Sequence, residues 1–171
     1  MRISRLSRLE RALWLACRSE AVSVRIDAFP TILAGNMVHA SCVAVGGRAA
    51  LICGPSGSGK SALALQMVAI GASLIADDRT VISLKGVEIQ AQAPDTIRGR
   101  IEARGVGILH CPTETSAVLK LVVDMRSVET MRLPHERHAD LLGQEIPVLQ
   151  KLEAAHFPAA LLIYLKHGRS E

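Results

Sequence analysis

Eight residues constrain this chain more than any others. Gly54-Pro55-Ser56-Gly57-Ser58-Gly59-Lys60-Ser61 fits the pattern G-x-x-x-x-G-K-[ST] at every fixed position. The pattern works only on a strand–loop–helix frame, because its backbone N–H groups must turn inward around an anion at a helix N-terminus. The flanks agree: the apolar run 49–53 leads into the loop, and an amphipathic run over 60–70 leaves it and stops at Gly71. Glycines allow the inward turn, Lys60 reaches the outer phosphates as an exposed charge, and the Ser61 hydroxyl is placed to ligate Mg²⁺. The competing reading is a Gly-Ser turn that only caps a helix. The correctly placed Lys and Ser favour a nucleoside triphosphate or related polyphosphate site.

A strand–loop–helix frame asks for an aliphatic core, and the composition supplies one. Hydrophobic residues make up 49% of the 171, yet the only aromatics are Trp14, Phe29, Phe157 and Tyr164. So few aromatic platforms argue against single-strand nucleic-acid binding by base stacking. Charge argues the same way. The +4 net charge is mostly N-terminal: residues 1–36 carry six Arg against Glu10, Glu20 and Asp27, and the remainder is close to neutral. Cys17, Cys42, Cys53 and Cys111 show neither a C-x-x-C pair nor zinc spacing, which suits a reducing, cytoplasmic compartment. No apolar run approaches the length of a membrane span.

The remaining pattern is α/β. Residues 1–28 read as a basic amphipathic helix and a polar, irregular stretch, with the Arg-rich, Lys-free composition of a transit peptide. The alternative is an upstream extension ahead of Met37, and the division adopted is 1–36 as a basic N-terminal extension and 37–171 as the functional domain. Strands are expected at 38–45 and 49–53 around Gly46-Gly47-Arg48, at 74–76, at 81–84 and 87–92 around Lys85-Gly86, and at 117–123 ending at Asp124. After Pro134 the chain reads as polar, with an apolar stretch at 146–149 and a closing helix near 159–167.

Asp77-Asp78 closes the strand that follows the loop helix. A carboxylate there can hold Mg²⁺ or take a proton from an attacking hydroxyl. Adjacent residues on a strand point to opposite sides, so the two would divide these tasks. The competing reading is a solvated Asp-Asp-Arg turn.

His39, the loop at 54–61, Leu74-Ile75-Ala76-Asp77-Asp78-Arg79 and Ile101-Glu102-Ala103-Arg104-Gly105-Val106-Gly107-Ile108 occur in the order and spacing of one family. Over about residues 37–150 the chain resembles the HPr kinase/phosphorylase family, most strongly its short proteobacterial forms without the N-terminal domain. The resemblance implies a P-loop core similar to phosphoenolpyruvate carboxykinase, a mixed sheet with flanking helices, and a hexameric assembly. It implies an ATP- and Mg²⁺-dependent kinase that phosphorylates a serine of the phosphocarrier protein HPr and can reverse the reaction by phosphorolysis. Residue by residue it makes 54–61 the nucleotide site, His39, Lys60, Asp78 and Arg132 active-site residues, Asp78 the proton acceptor, and Ser61 with Glu102 the magnesium ligands. Without the resemblance, His39 reads as a hydrogen-bonded strand histidine, and Glu102 with Arg104 as a surface ion pair. The chain departs from the family at 144–158, where a basic Gly-Arg-Asn-like stretch is replaced by one whose only basic side chain, histidine aside, is Lys151. Long-form members use that stretch in dephosphorylation. The alternatives are a small-molecule kinase on the same core and a non-catalytic nucleotide sensor.

Overall fold

The computed structural model describes residues 24–25, 29–94 and 99–169. The expected helix within 1–28 lies outside these residues, except that Val24–Arg25 forms a short strand, β1, parallel to a strand near the other end of the chain. Residues 29–36, assigned to the extension on sequence grounds, contribute a buried Phe29 and the strand β2 (Ile32–Leu33), which pairs with β3 (Met37–Val38).

The centre of the molecule is a run of five strands. β4 (Ala40–Val45) and β5 (Arg48–Cys53) form an antiparallel hairpin. Gly46 and Gly47 turn it with φ of 58° and 73°, the doubly left-handed geometry of a tight hairpin loop. β6 (Ser73–Ala76) lies antiparallel to the outer edge of β4. On the inner edge, β5 pairs in parallel with β11 (Ser116–Val128), and β11 pairs in parallel with β13 (Gln144–Lys151). The order β13–β11–β5–β4–β6 brings the ends of several strands to one edge, where the glycine-rich loop leaves β5.

The other strands extend this sheet and curl it. β7 (Thr80–Lys85) and β8 (Glu88–Gln92) form the second expected hairpin and join β11 through β8. β12 (Arg137–Leu141) pairs antiparallel with β13 and was not anticipated, since the chain there reads as polar. Its alternation explains the miss: Ala139 and Leu141 are buried while Asp140 is exposed, so only one face is apolar. β11 also runs past its expected end at residue 123. Asp124 sits inside it, 2% exposed, because Arg126 on the same strand face neutralises the carboxylate.

Alternation along β5 divides the core. Ala49, Leu51 and Cys53 face the cluster that holds Phe29, Ile75, Ile82 and Val122, over which the curled sheet closes. Ala50 and Ile52 face α1 (Lys60–Ala69) and α2 (Phe157–His167), with Leu63, Met67, Leu161 and Leu165 between them. A separate two-stranded hairpin, β9 (Arg100–Ala103) with β10 (Gly107–His110), presses Ile101 against the same helical face. None of the described helices is long and apolar enough to cross a membrane.

Candidate active site

The loop at 54–61 connects β5 to α1 as the motif requires. Gly59 caps the helix in the left-handed region (φ 96°, ψ 18°), where a side chain would be strained. Gly54 is set by contact: a Cβ there would stand 2.8 Å from Ser58 Oγ and 2.9 Å from Met125 Cβ. The loop is therefore drawn tightly against β11. One expectation needs correction. Lys60 is not an exposed charge; it is 6% exposed, and its Nζ donates to the carbonyls of Gly54 (2.9 Å) and Pro55 (3.0 Å). The loop folds back over its own lysine, which holds the ammonium inside the ring of backbone groups.

Asp77 and Asp78 follow β6, and β6 runs antiparallel to β4. Both aspartates consequently meet the start of β4, beside the loop. Asp77 Oδ1 accepts hydrogen bonds from the hydroxyls of Ser41 (2.6 Å) and Ser61 (2.8 Å), and its Oδ2 accepts the Glu102 backbone N–H (3.3 Å). This one carboxylate ties together β4, α1 and β9. Asp78 takes the left-handed region (φ 66°), tolerated by Asp, and its Oδ1 lies 3.2 Å from His39 Nε2. Both side chains of that pair are open to solvent, about half exposed. The two aspartates thus serve different partners, one internal and one facing outward.

At this edge His39 meets Asp78, Ser61 and the Glu102 backbone meet through Asp77, and Lys60 is held by the loop carbonyls of Gly54 and Pro55. Arg132 does not touch them: it is exposed in the segment between β11 and β12, which leaves from the same edge. Glu129 braces that segment by accepting N–H bonds from Thr130 (3.0 Å) and Met131 (2.9 Å) and an ion pair from Arg137 (2.6 Å). Burial alone would raise the Glu129 carboxyl, but the Met131 N–H, the Arg137 guanidinium and the Thr130 N–H outweigh it and hold it below its ordinary value.

Sequence reasoning passed over two residues here. Ser41 carried one legible signal, its place two residues past His39, which aims both at one edge. Asp124 had none beyond ending an apolar run, yet it lies in register with Cys53 directly behind the loop. It takes a bidentate grip from Arg126 (3.0 and 2.9 Å), whose guanidinium also lies 3.6 Å from the centre of the Phe29 ring. Burial pushes the Cys53 thiol, next to this group, well above its ordinary value and leaves it unreactive.

A strand feeding a glycine-rich loop into a helix, with a carboxylate delivered from the end of β6 to the loop's serine, defines a P-loop α/β protein. Residues 31–149 match the family described as HPr serine kinase C-terminal domain, and the chain belongs to that family. Among similar proteins, the HPr kinase/phosphorylase of Caldanaerobacter subterraneus subsp. tengcongensis is 34% identical over 124 residues, 68% of this chain and 39% of the relative. That of Polaromonas naphthalenivorans is 29% identical over 178 residues, 92% of this chain and 56% of the relative. The chain therefore spans about two fifths to a little over half the length of these relatives. The solved structure of the Hpr(Ser) kinase/phosphatase from Coxiella burnetii shares the fold, with a TM-score of 0.65 at 21% identity, covering 76% of this chain and 93% of that one.

Proposed function

We propose that this chain is an Mg²⁺- and ATP-dependent protein kinase that phosphorylates a serine of the phosphocarrier HPr, acting in the cytoplasm and as a homo-oligomer. The observation that carries the reading is the split of the aspartate pair, with Asp77 holding Ser61 and Asp78 facing solvent against His39. A protein that only sensed nucleotide would have no use for a second, outward carboxylate at the outer-phosphate end of the loop.

The residues fit both groups. The loop amides and Lys60 suit a polyphosphate, while the Ser61 hydroxyl with neighbouring carboxylates suits Mg²⁺, which takes few protein oxygens and completes its shell with phosphate and water. Mg-ATP, when bound, supplies the transferable phosphoryl group and the metal that neutralises its charge. The chain does the rest. Asp78 accepts the proton of the incoming serine hydroxyl, which is too weak a nucleophile to attack unaided at neutral pH. His39 orients Asp78 and gives the site a second proton-bearing group. Asp77 fixes the Ser61 hydroxyl and, by accepting the Glu102 backbone N–H, ties to the site the strand whose Glu102 would hold the metal together with Ser61. Lys60 offsets phosphate charge, and Arg132 is the further cation, carried on the segment that Glu129 braces. Phosphorolysis would use Asp78 in reverse, protonating the departing serine oxygen.

Incubating the purified protein with HPr, ATP and Mg²⁺ and mapping the product by mass spectrometry tests the reading. One phosphoserine on HPr is expected. Consumption of ATP with a small acceptor while HPr stays unmodified would point to the small-molecule kinase, and nucleotide binding without any transfer to the sensor.

A further inference from the structure

β11 breaks its pairing with β13 where it passes the phosphate loop. Asp124 is its last residue in register with β5, opposite Cys53. The pairing with β13 then jumps from Asp124–Gln150 to Val128–Lys151, which leaves residues 125–127 as a bulge. A bulge beside a site re-aims a side chain, and here the buried Met125 lies against the loop. Its Cβ is 2.9 Å from where a Cβ on Gly54 would stand, and its Cε 3.7 Å from where one on Gly59 would stand. One side chain therefore spans the first and last glycines of the loop. The residues on either side of it are clasped to each other. Asp124 Oδ1 accepts the Arg126 backbone N–H at 2.9 Å and Nε–H at 3.0 Å, and Oδ2 accepts Nη2–H at 2.9 Å. The Phe29 ring backs the guanidinium.

We propose that Met125 is a strut for the phosphate loop, and that Asp124 and Arg126 are positioning residues that aim it. The proposal rests on the reading of the loop as a polyphosphate site and adds how that site is kept ready. Glycines let the loop turn its N–H groups inward, but the same freedom gives an empty loop other paths to take. A protein whose competent form is a fraction of its population loses affinity by that fraction. Met125 restricts the loop at both its ends, and the clasp fixes the backbone before and after Met125 through hydrogen bonds to one charged acceptor. A buried ion pair of this kind adds little net stability. What this one supplies is a fixed geometry around the strut.

Calorimetry on the full chain compares MgATP with magnesium tripolyphosphate, which has the phosphates and lacks the nucleoside, and thermal midpoints are measured alongside. Met125→Ala removes the strut, and Asp124→Asn keeps the size of the side chain while breaking the bidentate grip. Each is expected to weaken both ligands by a similar factor, about tenfold where the ready loop falls to about a tenth of the population. Met125→Leu keeps the bulk and should stay within about twofold of wild type. In transfer to HPr, KM for MgATP should rise while kcat stays within about twofold, because a strut acts alike on ground and transition states. The two weakening variants act from different residues, so one that fails to fold leaves the other to decide. Affinity unchanged in either folded variant, with only the midpoint lowered, would make that residue structural and overturn the proposal. A loss confined to MgATP would also overturn it, since Met125 would then be a contact of the nucleoside. Wild-type protein that binds neither ligand would instead overturn the polyphosphate reading on which the proposal stands.

Discussion

At the scale of single residues, the site separates holding from reacting. Lys60 is buried and Asp77, half-buried, is tied to three partners, whereas Asp78 and His39 face out. Lys60→Ala is expected to abolish transfer and also to cost about 1 kcal/mol of stability, because two loop carbonyls lose their donor. Chemical denaturation beside a transfer assay checks both effects. Asp78→Asn should leave MgATP affinity near normal while single-turnover transfer falls roughly a hundredfold to ten-thousandfold, the usual cost of losing a general base. A parallel loss of MgATP affinity would make Asp78 a metal anchor and transfer the base to Asp77. The loop and the aspartate pair were legible because their chemistry needs fixed residue types at fixed spacing. Lys60's burial was not legible, since it follows from the loop closing over the lysine, a property of backbone path and not of composition. Ser41 and Asp124 escaped for a related reason: each gains its role from a strand neighbour distant in sequence.

At the scale of elements, the β4–β5 and β7–β8 hairpins and the loop helix were readable to within a residue or two, since glycine turns and helical periodicity are local signals. β12 and the far half of β11 were not. One exposes a polar face that masks its alternation, and the other carries a buried charge that reads as an end. The segment joining them depends on Glu129. Its carboxyl is depressed in the folded protein, so it contributes stability that is present above the ordinary glutamate value of about 4.3 and is lost as pH falls through the lower folded value. Glu129→Gln should therefore lower stability at neutral pH, with the gap to wild type closing under acid conditions. Denaturant midpoints across an acid series measure this, and a gap that stays constant with pH would show that Glu129 acts by packing alone.

At the scale of the whole molecule, the described core falls into two clusters on opposite faces of β5, and Phe29 belongs to one of them. Phe29 packs in the cluster away from the helices and carries the Arg126 guanidinium, which in turn neutralises Asp124 behind the loop. Phe29→Ala is expected to cost about 3 kcal/mol and to lower the thermal midpoint. Removing residues 1–36 should cost at least as much, since Phe29 and β2 leave together. The basic composition of that segment gave no warning of this, because one buried aromatic among six arginines does not alter a charge count.

The pairing of β5 with β11 also has a meaning in time. Cys53 and Asp124 are register partners, yet about seventy residues separate them along the chain. At ordinary rates of synthesis that gap lasts on the order of ten seconds. The β4–β5 hairpin closes early, from neighbouring residues, and then waits with one edge of β5 unpaired, exposed to any other nascent strand. The loop waits with it, since Met125, against which it is packed, has not yet been made. The loop takes its final path only when β11 arrives and Met125 closes against Gly54.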